Sequence, residues 1–97
     1  SSLNSSGKIY IDQGAARALN EGKSLLPAGI IKVEGSFEKG ENILIVDENE
    51  KSLARGLSSF TSSEINKIKG KQSKEIENIL GYLSKSEIIH KDDMVKL

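Results

Sequence analysis

A chain of 97 residues makes one domain with a modest core, and its 14 Lys and Arg against 14 Asp and Glu leave no net charge to attract a polyanion. It has no cysteine, which excludes disulfide staples and thiolate metal sites and fits a reducing compartment, and it has no apolar run of membrane-spanning length or signal-peptide type. Aromatic residues are 4% and Trp is absent, so a base-stacking platform lacks its material and any polyanion site has to be a local patch.

Residues Ser1–Gly7 are rich in Ser, Asn and Gly with one apolar residue, Leu3, and read as a flexible linker before a domain over 8–97. Asn4-Ser5-Ser6 matches a glycosylation acceptor, which without a secretory signal is a coincidence. Ile9-Tyr10-Ile11 predicts a short strand. Asp12 is a good N-cap for a helix whose small face is Ala15, Ala16, Ala18 and Leu19, and Gly22 supplies a left-handed stop. Small residues there permit close approach to a neighbouring backbone, and Gly14 leaves the first turn bare. Pro27 fixes its φ and lacks an N–H, so it turns the chain into the strand Ile30-Ile31-Lys32-Val33.

Glu38-Lys39-Gly40-Glu41 predicts a turn before the apolar strand Ile43–Val46, and Asp47–Glu50 another before a strand over Leu53–Leu57. The later part turns helical. Thr61-x-x-Glu64 is a capping box with Ile65 and Ile68 behind it, and Gly70 interrupts. A second helix starts near Ser73, with Ile76, Ile79, Leu80 and Leu83 on one face and Gly81 as an early stop. Two β segments, Glu87–His90 and Met94–Leu97, flank a Lys91-Asp92-Asp93 turn. Strands returning at such short intervals predict a compact barrel or sandwich, not a parallel sheet.

Few residues offer chemistry. Gly35 and Gly40 have the glycine spacing of a phosphate-binding loop, but Glu41 and Asn42 stand where Lys and Ser/Thr are required, so a hairpin-type turn is expected. His90 is the only histidine; beside Asp92 and Asp93 it suits a strand-end contact better than a general base or metal ligand. The hydroxyls Ser58, Ser59, Thr61, Ser62 and Ser63 have no base at a recognisable spacing and suit turns and caps. Lys67, Lys69, Lys71 and Lys74 alternate with Glu64, Glu75 and Glu77 as a solvated face. Lys8, Arg17, Lys23 and Lys32 flank the first helix and its following strand. With the bare backbone of Gly14 and Gly22 they either track a phosphodiester chain or are scattered solubilising charge.

The pattern Asp12-x-Gly14-Ala15-Ala16-x-Ala18-Leu19-x-x-Gly22-Lys23-Ser24-Leu25-Leu26-Pro27-x-Gly29-Ile30 resembles the start of a PUA domain, specifically the C-terminal PUA domain of bacterial glutamate 5-kinases. The resemblance continues in order through Val33-x-Gly35-x-Phe37-x-x-Gly40, Ala54–Leu57, Lys69-Gly70-x-x-Ser73-x-x-Ile76, Leu80–Tyr82 and Glu87–Val95. Departures are few: the family often has glycine near Glu50, Arg at Lys91 and Asn at Asp93, so the closing turn is more acidic here.

The resemblance implies a mixed α/β, mainly β pseudobarrel of short strands with two to three short helices. It also implies that residues 8–97 are the PUA domain of a longer chain whose preceding amino-acid kinase domain carries ATP, Mg²⁺, glutamate and a proline feedback site. That enzyme phosphorylates L-glutamate to L-glutamyl 5-phosphate in the first step of proline biosynthesis. This fragment is then a regulatory or structural module and not itself an enzyme, with no catalytic, cofactor-binding or metal-ligating residue assigned. Its partner is the kinase domain, in a cytoplasmic homo-oligomer away from any membrane. The alternative the resemblance implies is RNA binding, as PUA domains do in pseudouridine synthases and archaeosine transglycosylases. Gly14, Arg17, Lys23 and Lys32 are the surface expected to meet RNA or a partner.

Overall fold

Alternation along Gly7-Lys8-Ile9-Tyr10-Ile11 sets the first strand: Ile9 and Ile11 are fully buried, while Lys8 and Tyr10 point the other way. The computed structural model describes residues 5–97, and in it this strand, β1 (Gly7–Ile11), joins β2 (Ile30–Gly35), β3 (Asn42–Val46), β4 (Ser52–Leu57) and β5 (Met94–Lys96) in one sheet of order β2-β1-β3-β4-β5. β1 runs antiparallel to β2, with Tyr10 opposite Lys32, and parallel to β3, with Ile9 opposite Ile45. β4 pairs antiparallel with both neighbours, Leu44 opposite Arg55 and Arg55 opposite Val95.

The helices cover one face. α1 (Gln13–Asn20) starts where predicted, the Ala15 N–H donating to Asp12 Oδ1 at 2.8 Å. α2 (Ser62–Ile68) carries the expected capping box, the Glu64 N–H donating to Thr61 Oγ1 at 3.1 Å and the Thr61 N–H to Glu64 Oε1 at 2.9 Å. α3 (Ile76–Leu80) follows a 3-10 turn at Ser73–Glu75 and ends on Gly81 at φ 83°. The apolar face expected to reach Leu83 therefore stops at Leu80, and Leu83 is 81% exposed. Between sheet and helices lies one core built on Ile9, Ile45, Phe60, Ile65, Ile88 and Ile89. Each such side chain contributes roughly 1.5–3 kcal/mol by leaving water. The mainly β architecture with short helices is the one expected.

Three expectations change. The linker reading lies outside the described residues for 1–4, whereas Ser5–Gly7 are tied to the sheet. Ser6 N–H donates to Asn42 O at 3.0 Å, Arg55 Nη1 to Ser5 Oγ at 2.7 Å, and β1 begins at Gly7, one residue ahead of the boundary at 8. The hairpin expected at Gly35–Gly40 does not form, because β1 lies between β2 and β3. The connection instead runs to the end of β4, where Gly40 N–H donates to Ser58 O and Ser58 N–H to Glu41 O. Finally, Glu87–His90 is not a strand: Leu25 and Ile89 make a single bridge, and buried Ile88 and Ile89 pin the segment to the core. No helix of the described residues is long and apolar enough to cross a membrane.

Candidate functional site

Where α1 meets the 3-10 turn Pro27–Gly29, small side chains leave a cleft of about 320 Å³. Gly14, Ala15 and Ala18 of α1 form one wall, and Ala28 and Gly29 the other. Lys23 and Leu26, the latter 47% exposed, stand at the mouth. The two walls are locked together: the Asp12 N–H donates to Gly29 O at 2.9 Å, and a Cβ on Gly29 would sit 2.5 Å from the Ala15 methyl. Only glycine permits that approach. Past α1, Gly22 at φ 82° and the Lys23 N–H bond to Ala18 O turn the chain so that Lys23 returns along the helix.

The cleft has shape, bare backbone and one exposed cation. Lys23 pairs with Glu21 at 3.2 Å, but both are exposed, and such a pair is worth at most about 1 kcal/mol, so a ligand can compete for the lysine. The Asp12 carboxylate is already engaged in capping α1. Binding here rests on fit and one charge, and the Ser24 hydroxyl that also lines the cleft accepts the Lys91 N–H at 2.8 Å.

The predicted surface residues fall in three places. Gly14 and Lys23 share the cleft. Arg17 lies across α1 in a separate hollow with Gln13 and the acidic turn Asp47-Glu48. Lys32 sits on the open face of the sheet, 3.0 Å from Glu34 and 5.1 Å from the Tyr10 ring centre, with Lys8 beside it 3.9 Å from Glu50. There the cations meet their own carboxylates. Partial desolvation, the hydrogen bond to Glu34 and the charges of Glu34 and Glu50 push the Tyr10 phenol up to about 12. The Lys32 hydrogen bond holds Glu34 below the usual carboxylate range, outweighing its desolvation.

The remaining candidates take structural duties. Ser58 Oγ donates to Phe60 O at 2.6 Å, Ser62 Oγ accepts from Phe37 N–H at 3.0 Å, and Thr61 caps α2. His90 Nδ1 accepts the Asp92 N–H at 3.0 Å, capping the 3-10 turn Lys91–Asp93. Among the described residues no three metal-ligating side chains converge. In the Gly35–Gly40 segment Glu41 turns back on the loop, its Oε2 accepting the Glu38 N–H at 2.6 Å. Bonds from the Ser6 hydroxyl and that N–H lower the Glu41 carboxyl. The cleft walls Ala15, Ala28 and Gly29 were not singled out as site residues. The small face of α1 predicts a close approach to a neighbouring backbone, and the fold supplies its partner, the Gly29 backbone after Pro27.

The sequence profile of the PUA domain family matches residues 7–80. The whole chain is 59% identical over 97 residues to a glutamate 5-kinase of Pelagibacter ubique, covering 26% of that protein. It is 50% identical over 93 residues to one from Thermoanaerobacter sp., covering 95% of this chain and 25% of the relative. The chain thus spans about a quarter of the length of the curated relatives it matches, at their C-terminal end. In fold it is similar to a crystal structure of a PUA domain from Aeropyrum pernix K1 in complex with tartrate (TM-score 0.65, 24% identity, 88% of this chain and 41% of that one). It is also similar to a chain of an H/ACA ribonucleoprotein bound to a substrate RNA (TM-score 0.59, 27% identity, 61% of this chain and 19% of that one).

Proposed function

The chain belongs to the PUA domain family, and on that premise we propose that it is the non-catalytic C-terminal PUA module of a glutamate 5-kinase. The carrying observation is its 59% identity, end to end, with about a quarter of such a kinase. The preceding amino-acid kinase domain then transfers phosphate from ATP, with Mg²⁺, to the γ-carboxylate of L-glutamate. This is the first step of proline biosynthesis, carried out in the cytoplasm by a homo-oligomer. The module contributes structure and regulation. In support, the hydroxyls of Ser58, Thr61 and Ser62 and the His90 ring are held in caps and turns.

Deletion of the module from the full-length kinase tests this. Glutamate-dependent ADP release should persist, while the response to proline or to metal concentration changes. Loss of all turnover in a well-folded deletion would refute the regulatory role.

A second reading is favoured by the Gly14–Lys23 cleft together with the likeness to an RNA-bound ribonucleoprotein chain: the module binds structured RNA. Bare backbone against a phosphodiester and one lysine at the mouth suit a sequence-neutral contact. Binding followed by fluorescence anisotropy should weaken with salt, and Lys23→Glu should lower affinity at least threefold while Lys32→Glu changes it little. No binding at low salt rejects it.

A further inference from the structure

The sheet has one face on the core and one open, and the open face is divided. On the β1–β2 side, Lys8, Tyr10, Lys32, Glu34 and Glu50 satisfy one another. Strand register carries the same face onto Leu44 of β3, Arg55 and Leu57 of β4 and Val95 of β5. Here little is satisfied. Leu57 is 46% and Val95 67% exposed. Arg55 is half-buried and, among the described residues, has no carboxylate within 4.0 Å; its one side-chain bond is to the neutral Ser5 hydroxyl. A guanidinium lying among exposed aliphatic side chains is the composition of an interface core.

The course of the chain says what covers it. The segment entering β1 runs beside this half of the sheet: the Ser5 hydroxyl accepts from Arg55 of β4, the Ser6 N–H donates to Asn42 O of β3, and then Gly7 begins β1. A hollow of about 460 Å³ opens at that crossing, where Leu44 and Arg55 meet Lys8 and Glu34 of the other half. In the glutamate 5-kinase relatives, about three quarters of the polypeptide precedes the matched segment. A tethered partner has a millimolar effective concentration, so even a small patch holds it.

We infer that the Leu44, Arg55, Leu57 and Val95 half of the open face docks the preceding domain of the same polypeptide, whose matching surface is apolar with a carboxylate opposite Arg55. This rests on the module being the C-terminal part of such a kinase. The docking is distinct from the α1 cleft, which lies on another side chain set and stays open to ligands.

Hydroxyl-radical footprinting of the full-length kinase, read by mass spectrometry, tests it. After correction for intrinsic reactivity, Val95 and Leu57 should be oxidised at least fivefold more slowly than Leu26 and Leu83 in the same molecules. Arg55→Glu should restore their rates at least threefold. Equal rates at Val95, Leu57, Leu26 and Leu83 in the wild type overturn the inference. So does protection that disappears on dilution to monomers, which assigns the face to a second copy. Glutamate-dependent ADP release from the same preparation checks the underlying reading separately. Protection without ADP release leaves the docking standing and removes the kinase assignment.

Discussion

Gly29→Ala is the sharpest probe of how the cleft is built. The new methyl would lie 2.5 Å from the Ala15 methyl, about 1 Å inside the ordinary carbon–carbon contact. Neither wall can swing aside freely. The Asp12 N–H bond to Gly29 O and the Asp12 cap on the Ala15 N–H tie the 3-10 turn to the start of α1. Overpacking of this kind costs roughly 1–3 kcal/mol. At about 4–8 °C per kcal/mol for a domain of this size, a cost of about 2 kcal/mol lowers the melting temperature by roughly 8–16 °C. Adding Ala15→Gly removes the opposing methyl at the expense of about 0.5–1 kcal/mol for glycine in a helix, so the double variant should recover about half of the loss. Urea unfolding followed by circular dichroism measures all three proteins. A Gly29→Ala variant within about 0.5 kcal/mol of wild type, or a double variant no more stable than the single, would refute the close approach as the cause.

Asp12→Ala should cost about 1 kcal/mol by removing the α1 cap, whereas Asp12→Asn should cost less; urea midpoints compare them. Glu41 is held below the usual carboxylate range, so its contribution is present above the unfolded value of 4.5 and is lost as pH falls through the folded one. Glu41→Gln should therefore be less stable than wild type at neutral pH, with the gap closing in acid. A gap that persists unchanged in acid would contradict this. Tyr10 behaves in the opposite sense: its neutral form is favoured, so its contribution is complete below the unfolded value of 10.0 and is lost as pH rises to about 12. Near-ultraviolet titration should place its ionisation close to 12, and Glu34→Gln with Glu50→Gln should bring it back towards 10.0.

What was legible in the sequence was local. Asp12, the Thr61–Glu64 box, Gly22 and Gly81 act on backbone within a few residues, so their roles follow from the residues alone. The insertion of β1 between β2 and β3 depends on contacts across the chain. At Gly7, for example, a Cβ would collide with Glu34 O and the Phe37 ring. The candidate surface failed to cohere for a related reason. Lys8 and Lys32 project from the open sheet face, Arg17 from the far flank of α1 and Lys23 from its end, so neighbours in sequence become three separate environments. Glu50 shows the same limit. It occupies a left-handed position, φ 63°, and its carboxylate accepts from Tyr10 forty residues away.

Turnover and its regulation in the full-length kinase, with and without residues 5–97, test the central claim most directly. Separation of chemistry from this module predicts that the deleted enzyme still releases ADP in the presence of glutamate, with an altered response to proline or metal. A folded deletion without turnover, or glutamate phosphorylation by residues 5–97 alone, would contradict it.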